Sequence, residues 1–393
     1  MTLSNGIEFL AMPGPTNVPA KVLAAMHRPA VDIYAGELLG VTATCLQDLR
    51  TIFSTKGDAY IYAANGHGAW EAALSNVLSR GDKVLVLASG LFAPGWGEMA
   101  RILGAEVEVL PGDWRRAVDP QAVEDRLRKD AKGEIKAVLM VQVDTASSIV
   151  NDVAAVRKAI DAAGHDALYM IDTIASLATM PFEMDAWGVD VAVGGSQKGL
   201  MTPPGLGFNA ANGKARIAHR KANLVTRYWD WTFRDGEEHY MKYCGTPPEH
   251  LMFGLRAALD MILAEGLGAV IQRHRHLAEA VRAAVETWSE GQVIGFNVLA
   301  PEHRSNSVTT VLTQGHPPQK LIDFVRDGCG VTLGVSLGGP GHEAFRIAHM
   351  GHVNAAMVLA TLGAIEAGLV TLGIPHGQGM RSAIESIGAA LAT

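Results

Sequence analysis

Four residue types stand where strands should end, and each suits a different part of one reaction centre. The stretch "DVAVGGSQKGLMTPPGLG", Asp190 to Gly207, sets Lys198 in a turn crowded by Gly194, Gly195, Ser196 and Gly199 and followed by Pro203 and Pro204. Lysine is ordinarily a solvated surface residue. The crowding argues against a free loop, and a desolvated lysine has a lowered pKa and can form a Schiff base. Asp172 closes the apolar run "LYMID". A buried carboxylate is costly without a partner. A helix cap or an ion pair is the common explanation, and a fixed negative charge that keeps a ring nitrogen protonated is the chemical one.

The segment "AANGHGAWEAAL" passes from a strand to a helix through Asn65, Gly66, His67 and Gly68. Backbone N–H groups at a helix start attract anions, and glycine lets a phosphate approach closely. A dinucleotide fingerprint would need a third glycine where Glu71 stands, and an acid after the next strand, which ends in Ala88-Ser89-Gly90. The plain alternative is a tight turn. Phe92, in "ASGLFAPGW", is either core or a ring able to stack on a planar ligand. A phosphate cradle, an aromatic plate, an acid for a ring nitrogen and a Schiff-base lysine are together what pyridoxal 5′-phosphate requires, because its pyridinium must stay protonated to act as an electron sink. Metal chemistry is not expected: His274 and His276 in "RHRH" fall on different faces of a predicted helix.

These residues need a sheet to hold them. Short apolar runs at 59–64, 83–88, 107–110, 136–142, 168–172 and 189–194 alternate with amphipathic helical stretches, among them 69–79 and 153–164. Strands without polar alternation, separated by helices, predict an α/β fold with a mostly parallel sheet covered on both faces. Ligands then sit beyond the carboxyl ends of the strands. A long helix over 247–266 has Pro247 and Pro248 at its start and Gly266 at its end. After it the pattern changes, so a large α/β domain over 16–265 and a smaller C-terminal α+β domain over 266–393 are expected.

The remaining bounds are broad. The chain has 393 residues, 48% of them apolar, and a net charge of −7, which argues against nucleic acid or anionic membrane as a main partner. Cys45, Cys244 and Cys329 are scattered and odd in number, which suits a reducing cytosol. The N-terminus lacks the pattern of a signal peptide, and no apolar run is long enough to span a membrane. A cytoplasmic location is expected.

The sequence resembles the class V, fold type I, aminotransferases, in particular the serine–glyoxylate and alanine–glyoxylate group. "PGPTNVP", "GHGAWEAALSNVLSRGDKVL", "VRKAIDAAGH", "MDAWGVDVAVGGSQKGLMTPPGLG" and "FRIAHMGH" carry the resemblance in order along nearly the whole chain. It implies Lys198 as the cofactor's covalent anchor and proton shuttle, Asp172 as the partner of its ring nitrogen, and Phe92 as the stacking ring. It also implies Asn65, Gly66 and His67 around the phosphate, Gln197 beside the lysine, and Thr145 near the ring oxygen. Tyr243 and Thr246 would reach the cofactor of the other subunit of a homodimer. Arg346 would grip the substrate α-carboxylate, a task suited to a bidentate guanidinium. The first 15 residues would pack near the smaller domain.

Two segments depart from the serine–glyoxylate pattern: Ile33-Tyr34 replaces a His-Arg pair at the substrate pocket, and "DTASSIVND" replaces a Thr-Ala-Thr-Gly-like run. The expected activity is ping-pong transfer from a small amino acid such as serine or alanine to glyoxylate or pyruvate. Pyridoxamine–pyruvate, ureidoglycine–glyoxylate and aminophosphonate transaminases are alternatives within the fold. Cysteine desulfurase, with Cys329 as the sulfur carrier, is less favoured because Gln197 stands where those enzymes usually have histidine.

Overall fold

The computed structural model describes residues 3–338 and 343–392. Strand β1 (Phe9–Ala11) opens the chain and belongs to a sheet completed only near its end. The strands β2 (Asp58–Ala63), β3 (Lys83–Leu87), β4 (Glu106–Leu110), β5 (Ile135–Val141), β6 (Leu168–Asp172), β7 (Val191–Gly195) and β8 (Leu206–Ala211) form a seven-stranded sheet in the order β2-β8-β7-β6-β5-β3-β4. The β3/β4, β3/β5, β5/β6 and β6/β7 pairs are parallel, whereas β8 runs antiparallel to both β7 and β2.

Alternate residues of these strands feed two cores, one on each face. Leu85, Leu87, Met140 and Ile171 belong to one, and Val84, Val86, Leu139 and Met170 to the other. Both faces are apolar because both are covered, which is why the strands read as continuous hydrophobic runs. Pairing Val141 with Asp172 and Asp172 with Val193 brings the carboxyl ends of β5, β6 and β7 level. That alignment sets the loops after these three strands side by side.

The helix predicted at 69–79 starts earlier, at Gly66, and runs to Val77. Asn65 caps it, accepting the Gly68 N–H through Oδ1 at 3.2 Å, so Gly66 and His67 belong to its first turn and not to a loop. Phe92 likewise opens the helix Phe92–Leu103.

A second sheet, in the order β1-β11-β12-β10-β9, combines β1 with β9 (Ile294–Phe296), β10 (Val308–Thr313), β11 (Val331–Val335) and β12 (Ala344–Ala348). The helix Glu249–Glu265 ends at Gly266, whose φ of 86° turns the chain directly into the helix Leu267–Trp288. Val281, Val285 and Trp288 of that helix share a core with Phe345 and Ile347 of β12. Among the described residues, no helix is long and apolar enough to cross a membrane.

Candidate active site

A cleft of about 120 Å³ lies beyond the level ends of β5, β6 and β7, with Gly66, His67, Phe92, Thr145, Asp172, Gln197 and Lys198 among its lining residues. The sheet and the helix Gly66–Val77 bring these together from positions far apart in the chain. The helix start supplies backbone N–H groups at Gly66 and His67, and a β-carbon at Gly66 would run into Ile174 on the opposite wall.

Asp172 ends β6 and is buried. Its Oδ2 accepts the indole N–H of Trp70 at 2.9 Å, and its Oδ1 accepts the Ile174 N–H at 2.6 Å. Burial pushes its carboxyl up to about 7 against the pull of these two donors. Trp70 lies four residues after Gly66 on the same helix, stacks on Trp96, and meets Phe92 edge-on at 6.3 Å. In the sequence it reads as an ordinary core indole, although its spacing places it over Gly66.

Lys198 follows β7 and is half-buried. Burial, and secondarily the positive charge of Arg346, lower its amine to about 8, with Asp172 pulling the other way. The N-terminal segment wraps this lysine. Its Nζ donates to the Pro13 carbonyl. The Thr16 hydroxyl donates to the Lys198 carbonyl at 3.0 Å, and the Thr16 N–H donates to the Gln197 carbonyl at 3.1 Å. Gly14, with φ of 99°, leaves the space that the lysine tip occupies. Beside it, the Gln197 Oε1 is buried with no hydrogen-bond partner among the described residues.

Arg346 lies on β12 of the second sheet, paired with Thr310 and Gly334. It is 5% exposed. Nε donates to the Val335 carbonyl at 2.7 Å, and Nη1 donates to the Thr145 carbonyl at 2.8 Å. Among the described residues no carboxylate forms an ion pair with it, and burial lowers its guanidinium to about 10. Its hydrogen bonds go to carbonyls and the charge of Asp144 acts on it without a direct contact, so its guanidinium is suited to receive an anion.

Of the expected site residues, Asn65 and Arg346 lie beside this cleft without lining it, and Ile33, Tyr34, Tyr243 and Thr246 are not brought to it within one chain. Tyr34 is 68% exposed and lines a separate groove with His239 and Lys242. The Ile33 carbonyl lies 2.7 Å from Nδ1 of His239. Tyr243 is buried, its hydroxyl 2.7 Å from Thr42 Oγ1, and Thr246 is exposed. Cys329 is exposed just before β11 and does not line the cleft.

The sequence model of the family described as aminotransferase class-V matches residues 9–363. The serine–glyoxylate aminotransferase of Methylorubrum extorquens is 38% identical, over 94% of this chain and 92% of its own. The L-aspartate–glyoxylate aminotransferase of Paracoccus denitrificans is 35% identical, over 98% and 96%. The crystal structure of the ureidoglycine–glyoxylate aminotransferase of Bacillus subtilis superposes with a TM-score of 0.88 at 26% identity, covering 98% of this chain and 99% of that one. With a cleft built from a lysine, a buried acid and a helix start on this fold, the chain belongs to the class V aminotransferases, transaminases that work with pyridoxal 5′-phosphate.

Proposed function

We propose that this chain moves the amino group of a small monocarboxylic amino acid, such as serine or alanine, to a small 2-oxo acid such as glyoxylate or pyruvate. The observation that carries this reading is Arg346, buried without a carboxylate partner beside the cleft that holds Lys198 and Asp172. Donor and acceptor each bring an α-carboxylate, so one arginine serves both in turn, as a ping-pong reaction needs. Among the described residues Lys198 is the only lysine lining the cleft and Arg346 is the arginine whose charge acts on it, so one guanidinium is at hand for one carboxylate, which favours a monocarboxylic over a dicarboxylic substrate. Glyoxylate is the acceptor named for the serine and aspartate enzymes above, which supports it as the acceptor here.

The residues present fit pyridoxal 5′-phosphate, and the unpartnered Gln197 amide, whose oxygen and nitrogen ends are interchangeable in assignment, leaves a polar group for it. When bound, it supplies an aldehyde that takes up the amino group and a ring that spreads the charge left when the α-proton departs. Asn65, Gly66 and His67 would hold the phosphate at the helix start, Phe92 would cover the ring, and Thr145 would meet its oxygen. Asp172, steadied by Trp70, would keep the ring nitrogen protonated. Lys198, with its amine lowered to about 8, keeps about a tenth of it unprotonated at pH 7, against a negligible fraction for an ordinary lysine, and can accept the proton from the substrate's α-carbon. Arg346 would orient that carbon by holding the carboxylate.

The proposal includes a cytoplasmic homodimer of two-domain subunits, divided at Gly266 into 16–265 and 266–393, with the first 15 residues beside the second domain. Ile33, Tyr34, Tyr243 and Thr246 would act on the partner's cleft. The tie between Ile33 and His239, and the exposure of Tyr34 and Thr246, support that arrangement.

The test is spectral. Serine or alanine is expected to bleach the visible absorbance of the purified holoenzyme, glyoxylate or pyruvate to restore it, and Lys198→Ala to abolish both changes. Failure of every small amino acid to bleach it would overturn the reading, and sulfide release from cysteine would move it to the desulfurase branch.

A further inference from the structure

Asp144 follows β5, is fully buried, and forms no direct ion pair among the described residues, although its charge acts on Arg346. Its acceptors are spent on backbone. Oδ2 takes the Phe92 N–H at 2.8 Å, and Oδ1 takes those of Ala146 at 2.9 Å and Ser147 at 3.2 Å. The Leu91 N–H is a further donor. The helix Phe92–Leu103 has no cap of its own, because Leu91 at its N-cap position offers no side-chain acceptor. Asp144 caps it from a different loop and sets a negative charge at its positive end. The same contact explains Gly90, where a β-carbon would run into the Asp144 carboxylate.

The loop that Asp144 organises is also where the second sheet docks. Asn297 Nδ2 donates to the Ser147 carbonyl at 2.8 Å, and Thr310 Oγ1 to the Ala146 carbonyl at 3.1 Å. Arg346 Nη1 donates to the carbonyl of Thr145, the very next residue. One carboxylate therefore holds two backbone segments together. One carries Phe92, and the other braces Arg346.

We propose that Asp144 is a positioning residue that sets both retention of the planar cofactor, through Phe92, and the grip on substrate carboxylates, through the Thr145 carbonyl and Arg346. This rests on the roles given above to Phe92 and Arg346. Asparagine in its place would turn amide hydrogens toward backbone N–H groups, and Gly90→Ala would displace the carboxylate without altering its chemistry.

The experiment uses the full chain and two readouts besides turnover: the cofactor dissociation constant, from titration of cofactor-free protein, and KM for donor and oxo acid measured against kcat. Asp144→Asn and Gly90→Ala are each expected to raise the cofactor Kd and both KM values about tenfold, the scale of a lost hydrogen bond to a charged group, with kcat of the loaded enzyme changing less. Adding Asp144→Asn to Phe92→Ala should weaken cofactor binding little beyond Phe92→Ala alone. Kd and KM values within about twofold of the parent, or fully additive effects with Phe92→Ala, would overturn the proposal. So would failure of both single variants to fold, since the role would then be one of folding. A parent protein that neither binds the cofactor nor transaminates would overturn the functional reading as well, which separates the two failures.

Discussion

Lys198 and Asp172 carry opposite electrostatic costs in the cofactor-free chain, and the signs can be worked out. The Lys198 amine falls from an ordinary 10.5 to about 8. Below about 8 both folded and unfolded chains hold its proton, and the folded chain bears the whole cost. Between about 8 and 10.5 only the unfolded chain holds the proton, so stability rises with pH and the cost is gone above 10.5. Asp172 runs the other way, since its carboxyl rises from 3.8 to about 7, and its cost grows across that range and is complete above it. Removing the lysine should therefore stabilise the protein it disables. Lys198→Met is expected to raise the melting temperature of the cofactor-free protein at pH 7 by about 2–4 °C, with the gain fading by about pH 10.5. A lower melting temperature at pH 7 would show that the contacts to Pro13 and Asp172 outweigh burial. Trp70→Phe, which keeps a ring but removes the N–H on Asp172, is expected to lower kcat/KM for both substrates about tenfold. An unchanged kcat/KM would remove Trp70 from the site. Lys198 and Asp172 were legible in the sequence because each ends a run with the apolar signature of a buried strand. Trp70 and Asp144 were not, because an indole in an amphipathic helix reads as core, and an aspartate that bonds only backbone leaves no sequence partner to notice.

At the scale of elements, the start of the helix Gly66–Val77 is the feature most open to test. Its first turn depends on the Asn65 side chain, and Asn65→Ala removes a cap worth about 1 kcal/mol. The frayed groups are the N–H donors assigned to phosphate, so binding of pyridoxal 5′-phosphate should weaken about tenfold while binding of pyridoxal, which lacks the phosphate, stays nearly unchanged. Equal weakening of the two ligands would mean that this turn does not meet the phosphate. The alternation of strands and helices was readable because the covered sheet imposes continuous apolar runs. The strand β8 does not stand out in the sequence: "LGFNAA" carries a glycine and an asparagine and runs antiparallel, outside the repeating strand–helix rhythm. "PGPTNVP" stood out as a motif, yet its place against Lys198 could not be seen from the sequence, because that contact joins residues 185 apart in the chain. Pro13 also packs against Gly334, the ladder partner of Arg346, so this short turn touches the neighbours of both charged groups.

For the whole molecule, the decisive question is whether one chain completes its own site. Lys198, Asp172, Phe92 and Gln197 line one cleft, whereas Tyr34 and Thr246 are exposed elsewhere and Tyr243 is spent on Thr42. If the two groups meet across a two-fold axis, each active site draws on both chains. Subunit mixing separates this from a self-sufficient chain. Lys198→Ala disables the group supplied in cis, and Thr246→Arg, at an exposed position, disables the one supplied in trans. A hybrid of the two puts both defects in one cleft and leaves the other cleft intact. With random reassociation about half the dimers are hybrids, so a mixture of two nearly inactive proteins should recover about one quarter of the parent activity. Were the sites complete within single chains, every cleft in the mixture would keep one defect and no activity would return. Tyr34→Phe supplies the specificity counterpart. Mixed with Lys198→Ala, it should give hybrids whose one working cleft contains the parent Tyr34 if that side chain acts from the same chain as the disabled lysine. Half of the working clefts in the mixture would then show the parent's donor preference, so the mixture would fall midway between the parent and the Tyr34→Phe homodimer, whereas a Tyr34 acting within its own chain would leave the homodimer's preference unchanged.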